Sequence, residues 1–208
     1  WFIGEPINVY HDYLFDGIWQ FDDDIANSHM PDVMPGDIRV VDVDNNGEIN
    51  SDDRVIYERD PQFIASLVSQ TEYKGFDLSV DFFWRYGGRR YNSRYAGGLG
   101  GGSSNAMEQE YWTPENPSNN MPRPRLTFIY NISTLRYQDA SYFRLRNVTL
   151  GYTLPENLTD NIRVDNFRLF VSLTNYWTVT DYLSYGPEHG AGSYPEPKTI
   201  QFGVNTSF

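Results

Sequence analysis

The 208-residue chain has no cysteine, only two lysines (Lys74 and Lys198), three histidines and no long apolar run. Without cysteine there is no disulfide framework, no thiolate metal site and no thiol nucleophile. Nothing approaches the roughly 20 consecutive apolar residues of a spanning helix, which excludes a helical membrane protein. Barrel strands need only about ten residues each, with alternate positions facing lipid, so this shortage leaves a membrane β-barrel open. Basic residues are also scarce, sixteen against twenty-eight acidic ones, and the net charge of −12 disfavours nucleic acid or anionic lipid as a partner and favours a cation. The N-terminal "WFIGEPINVY" has neither the basic region nor the apolar core of a signal peptide and no initiator Met, and reads as the middle of a longer chain.

What is abundant is aromatic. Only 39% of the residues are apolar, yet 16% are Phe, Trp or Tyr, so much of the apolar area comes as rings, which suit half-buried strands and membrane interfaces better than helix cores. In "FDLSVDFFWRY", Phe76, Leu78, Val80, Phe82, Trp84 and Tyr86 fall on one face and Asp77, Ser79, Asp81 and Arg85 on the other. The tail repeats the pattern: Ile200, Phe202, Val204 and Phe208 alternate with Gln201, Gly203, Asn205 and Ser207, with Thr206 the polar residue on the apolar side. "FRLFVSLTNYW" sets Phe167, Leu169, Val171 and Leu173 against Arg168, Ser172 and Thr174, and Phe170 interrupts its polar side. Two less regular strands are expected at 62–73 and 141–154. In the latter, Phe143 and Leu145 are out of phase with Val148, Leu150, Tyr152 and Leu154, which a bulge near Arg146 or Asn147 would reconcile. A sixth strand is expected within residues 3–19, ending near Trp19.

The connections alternate between short and long. Tyr73-Lys74-Gly75 is a tight turn and 155–166 is moderate, whereas 20–61, 87–140 and 177–197 are long. Six strands counted back from a periplasmic C-terminus put all three long segments outside the cell, as in outer-membrane barrels. The "GGLGGGSS" stretch at 97–104 reads as a flexible loop, since no Gly-Lys-Ser/Thr follows it.

One local motif carries chemistry. "DVDNNGEINSDD" (42–53) matches a twelve-residue EF-hand-type calcium loop position by position. Asp42, Asp44 and Asn46 supply oxygens, Gly47 permits the sharp turn, Glu48 gives its backbone carbonyl, Ile49 packs inward, Asn50 binds directly or through water, and Asp53 closes the loop. The competing reading is a solvated Asp/Asn turn. Non-helical flanks make it a structural staple and not a calcium sensor. His11, His29 and His189 show no metal-ligand spacing, and the Asn-X-Ser/Thr triplets at Asn131, Asn147, Asn157 and Asn205 read as chance because two fall within expected spanning strands. Loop aromatics, Tyr111, Trp112, Tyr130, Trp177, Tyr182 and Tyr185, could stack on sugar rings, against the alternative of interfacial or loop packing. Of these, Tyr111, Trp112, Tyr182 and Tyr185 are the candidate substrate contacts.

The order of several strings, "PGDIRVVDVDNNGEINSDDRVI" (35–56), "YKGFDLSVDFFW" (73–84), "YWTPENP" (111–117), "SYFRLRNVTLGYTLP" (141–155) and "FRLFVSLTNYWTVTDYLSYGPE" (167–188), together with the terminal aromatic, resembles the C-terminal barrel region of SusC/RagA-type TonB-dependent transporters of Bacteroidetes. Gly186 stands where the family pattern has an Asp. The resemblance implies an all-β fold: the last antiparallel strands, about six here, of a transmembrane barrel of about 22. It further implies a bacterial outer-membrane location, an N-terminal plug, contact with TonB through that missing part, and a SusD-like surface lipoprotein as partner.

The expected function is therefore the wall of a nutrient importer, working on oligosaccharides or peptides, with structural calcium, no organic cofactor and no covalent chemistry. Asp77, Asp81, Arg85 and Arg168 would line its lumen. Two rivals are a secreted, calcium-stabilised β-sandwich that binds carbohydrate, and a glycoside hydrolase fragment, for which no acid–base pair can be nominated.

Overall fold

In a computed structural model the described residues are 2–97, 99, 108–126, 129–159 and 164–207. Eleven strands occur among them: β1 (Val9–Tyr13), β2 (Phe15–Ile18), β3 (Ile38–Val40), β4 (Arg54–Glu58), β5 (Phe63–Tyr73), β6 (Phe76–Tyr86), β7 (Arg89–Tyr91), β8 (Tyr137–Asp139), β9 (Tyr142–Thr153), β10 (Asn166–Thr180) and β11 (Thr199–Ser207). The five long ones form one antiparallel sheet in the order β11-β10-β9-β6-β5. The expected strand within 3–19 is absent from that sheet. That stretch instead holds β1 and β2, which pair with β4 and β3 in separate two-stranded ribbons, so the main sheet has five strands where about six were expected. Phe208 lies outside the described residues, as do residues 98 and 100–104 of the glycine-rich stretch.

The chain divides into two units. Pro61–Gly87, Ala140–Pro187 and Tyr194–Phe208 make the sheet unit; Trp1–Asp60, Gly88–Asp139 and Glu188–Ser193 make the other. The charge divides unevenly: the sheet unit has eight acidic and seven basic residues, the second twenty and nine. The sheet is thus nearly neutral and the second unit carries almost all of the net charge.

In the sheet, register converts the sequence alternation into two surfaces. Phe76, Tyr152, Leu169 and Val204 form one cross-strand row, Leu78, Leu150, Val171 and Phe202 the next, and Val80, Val148, Leu173 and Ile200 a third. Between Asp81 and Phe82 the pairing to β9 shifts, leaving Arg146 as the extra residue, and β10 shifts between Thr174 and Trp177 at the same level. Asn175 takes a positive φ of 53° there. The paired bulges return Leu145 and Phe143 to the apolar face, opposite Phe82 and Trp84 on one side and Trp177 and Val179 on the other. Trp177 is therefore a strand residue of this face and not a loop residue.

The apolar face is uncovered: Phe76 is 52% exposed, Trp84 46% and Phe202 79%. A β-sandwich would bury this face under a second sheet, so the sandwich rival fails here. The eleven residues of β6, at about 3.4 Å each and tilted by roughly 45°, cover about 24 Å of depth, close to the roughly 25 Å apolar band of an outer-membrane barrel. Rings cluster at both ends of that span, Phe76 with Tyr152 at 4.5 Å at one end and Phe63 with Trp84 and Tyr86 at 5.0 and 5.3 Å at the other. At the Phe76 end, β5 turns into β6 through Lys74 (φ 48°) and Gly75 (φ 83°), a two-residue hairpin with both central residues left-handed, which Gly75 allows without strain.

The second unit has its own apolar core, Ile18, Ile38, Val40, Trp112, Met121 and Leu135 among its members. Asp37 clamps it by accepting from Arg123 at 2.9 Å and from Arg125 at 2.6 Å. Four strands of it, β1, β4, β7 and β8, meet at a tyrosine cluster, in which Tyr10, Tyr57 and Tyr91 lie 4.9, 5.1 and 5.3 Å from the Tyr137 ring. The Tyr137 hydroxyl donates to Asp12 at 3.0 Å, and burial, followed by that carboxylate, pushes the phenol well above its ordinary range.

The face assignment is testable in the full-length protein. Val148→Arg, at the middle of the apolar face, should destabilise the folded barrel by roughly 2–4 kcal/mol in urea unfolding from lipid, whereas Gln201→Arg on the other face should leave it within about 0.5 kcal/mol. Equal losses would refute the assignment.

Candidate functional site

Two regions hold the sequence-nominated residues, the 42–53 loop and the polar face of the sheet. The loop joins β3 to β4, and its twelve positions fold around their own carboxylates. Asp42 accepts the backbone N–H of Asn46 (3.2 Å) and Gly47 (2.8 Å), and Asp44 accepts that of Asn46 (3.1 Å). Gly47 takes a φ of 87°, a conformation that glycine adopts without a Cβ penalty. Ile49 packs against the apolar core, which ties the loop to the body of its unit.

Asp53 is the anchor. It is wholly buried, and its two oxygens accept from Val43 N–H at 2.7 Å and Asn50 N–H at 2.8 Å. The Asn50 N–H above all holds its carboxyl below the ordinary value of 3.8, outweighing the opposing effect of burial, so the residue is a carboxylate. Asn50 in turn caps a short 3₁₀ turn, Ser51–Asp53, by accepting from Asp52 N–H. Its amide oxygen is thus engaged in a cap, and Asn46 Oδ1 likewise accepts from Glu48 N–H at 2.8 Å. Glu48 is exposed, in keeping with a position from which only the backbone carbonyl was expected to bind. Asp42, Asp44 and Asp53 each bring one carboxylate oxygen within 4.8 Å of the others. Three hard anionic oxygens held this close suit a calcium-like ion, and strands on both sides replace the helices of a sensor.

On the polar face, Arg168 makes a bidentate pair with Asp77 (Nε at 2.7 Å) that lies across the strand between them. That strand presents Gly151 there, where a Cβ would run into both partners. Phe170, out of place by alternation alone, covers Gly203 on β11 in the same way, its ring also 5.2 Å from the Arg168 guanidinium carbon. Further along, the bulge residue Arg146 pairs with Asp81 at 3.3 Å and stacks over Phe83 at 4.5 Å. Asp77, Asp81, Arg85 and Arg168 do share this face with Ser79, Thr149 and Ser172.

The nominated aromatics divide. Tyr111 and Tyr185 are exposed. Trp112 and Tyr182 are buried, at 4% and 3% exposure, and do not offer a stacking face. Trp112 is a core residue: its ring covers Gly36 and its Nε1 donates to Gln20 Oε1 at 2.9 Å. The Asp37–Arg123–Arg125 clamp and the tyrosine cluster were not foreseen, because their members are separated by up to 125 residues and carry no local spacing signal.

No protein-family model matches the chain. It is 31% identical over 226 residues to TonB-dependent receptor P3 of Formosa agariphila, which covers 99% of this chain and 22% of that protein. It is 27% identical to TonB-dependent receptor P26 of the same organism, over 99% of this chain and 23% of the relative. The chain thus spans less than a quarter of the length of these relatives. Among solved structures it superposes on the RagAB peptide importer in its 'open-open' state with a TM-score of 0.74 and 25% identity, over 100% of this chain and 23% of that one. A further structure of the RagAB peptide transporter gives 0.72 at 24% identity over 97% of this chain and 23% of that one, a likeness of fold. These relatives are receptors and transporters, which leaves the hydrolase reading without support. A two-faced antiparallel sheet, its register and these matches point one way: over its whole length the chain is similar to SusC/RagA-type TonB-dependent transporters, in the C-terminal region of their barrel.

Proposed function

We propose that this chain is a stretch of the wall of an outer-membrane, TonB-dependent importer of oligosaccharides or peptides, and that it works with a SusD-like lipoprotein at the cell surface. The observation that carries the reading is the uncovered apolar face, continuous across β6, β9, β10 and β11 and ringed by aromatics, backed by a face of ion pairs and hydroxyls. That pairing of surfaces suits a wall between lipid and a polar lumen. The wall itself makes and breaks no covalent bond.

With five strands, the connections keep the arrangement expected for a barrel. The two-residue turn at Lys74-Gly75 and the 154–165 connection join strands at one end, while 87–141 and 181–198 join them at the other, the end at which β5 begins. We assign the long end to the exterior and the short end to the periplasm. The plug and the TonB contact belong to other parts of the full-length protein, and the polar face would meet plug and solute.

We propose the same exterior side for the 42–53 loop. There it would hold calcium through Asp42, Asp44 and Asp53, with the Glu48 carbonyl and the amides of Asn46 and Asn50 completing the shell directly or through water. The ion would fix a connection whose disorder would otherwise add to the entropic cost of docking.

Cells expressing the full-length protein should accumulate a labelled nutrient only while TonB is present; accumulation that persists without TonB would contradict the importer reading. For the loop, chelation should increase protease cutting between Phe21 and Pro61 in the purified protein, and added calcium should reverse it. Cutting indifferent to chelator would remove the metal from the account.

A further inference from the structure

Two hollows flank Phe21. One, of about 620 Å³, is walled by Ile18, Asp22 and Pro117; the other, of about 440 Å³, by Met34, Pro35 and Trp112. The Phe21 ring is 65% exposed and rests on the buried Trp112 ring, 5.2 Å between centroids. The ring stands between the two hollows, beside the core of its own unit.

The polar groups around these hollows are engaged inward. Gln20 Nε2 donates to the carbonyls of Ile18 and Ser118, and Gln20 Oε1 accepts from Trp112. Asn119 Oδ1 accepts the Ile18 N–H at 2.9 Å, Arg39 pairs with Asp16 and Asp23, and Arg123 is held by Asp37. What remains facing outward is apolar area, the exposed side-chain amide N–H of Asn119 and the exposed carboxylate of Asp22, which lies in a segment, residues 1–60, with fifteen acidic and three basic residues. A sugar needs several directed hydrogen bonds besides a ring to stack on, and most of the groups that could make them are already taken. An apolar side chain beside a cation needs only what is present. The same internal hydrogen bonds keep the hollows in shape without a ligand, so docking would lose little ordering entropy.

We propose that the Phe21 groove captures peptide nutrients through a basic residue adjoining a large apolar one, the apolar side chain against Phe21 and the cation beside Asp22. The inference rests on the importer reading and narrows its solute to peptides of that kind.

The test uses the full-length protein in detergent with a dye-labelled hexapeptide containing Lys-Phe-Lys, a counterpart containing Glu-Phe-Glu, and a neutral maltohexaose as competitor. Binding should favour the Lys peptide and be insensitive to the sugar. Phe21→Ala should weaken it by about tenfold, and Asp22→Asn by about threefold with loss of the Lys-over-Glu preference. Both side chains are exposed, so both variants should keep the parent melting temperature. Wild-type affinity in Phe21→Ala, preference for the Glu peptide, displacement by the sugar, or a surface lipoprotein crosslinked at position 21 would each overturn the groove. Uptake in cells separates the two readings: TonB-dependent import of the peptide undiminished by Phe21→Ala defeats the groove and spares the importer, whereas Phe21-dependent binding without TonB-dependent import does the reverse.

Discussion

A strand that crosses hydrocarbon must satisfy its backbone through its neighbours and show lipid only on alternate side chains, and the pairing of β6, β9, β10 and β11 keeps that alternation in register. A slip of one residue would turn Leu78, Leu150, Val171 and Phe202 to the polar side together. The bulges at Arg146 and at Asn175 are the one place where the count changes, and they change it in adjacent strands at one level, so the apolar rows above and below stay aligned. The extra residue is an arginine that the polar face absorbs through Asp81 and Phe83.

The polar face has its own packing logic. Glycines at 151 and 203 clear flat ground on two strands, and the Arg168–Asp77 pair and the Phe170 ring lie down on it. Side chains that lie along a wall keep it smooth, and paired charges keep it close to neutral while it stays wettable. The second unit is built by other rules: an apolar core, a two-arginine clamp on Asp37, and a loop wound on buried Asp53. Its acidic surface and its exposed Phe21 set it apart from the near-neutral sheet.

What was legible in the sequence was what repeats at short range. Period two gave the long strands within about two or three residues, and the phase break in 141–154 placed a bulge near Arg146 or Asn147, where the structure has it at Arg146, because one inserted residue inverts every later side chain. The 42–53 spacing likewise anticipated the convergence of Asp42, Asp44 and Asp53. The failures are long-range. A sixth barrel strand was expected before Trp19 because short apolar alternations look alike whether they join a large sheet or a local ribbon, and only the partners, β3 and β4, decide. Trp112 and Tyr182 looked like loop aromatics because burial in a core assembled from distant segments leaves no periodic trace.

The absence of cysteine makes the central claim directly measurable. Single cysteines introduced in turn at positions 76–86 of the full-length protein, labelled with a fluorophore and reconstituted with brominated lipid, would report which side chains touch hydrocarbon. The account predicts strong quenching at 78, 80, 82 and 84 and little at 77, 79, 81 and 85. Uniform quenching, or the opposite phase, would contradict it.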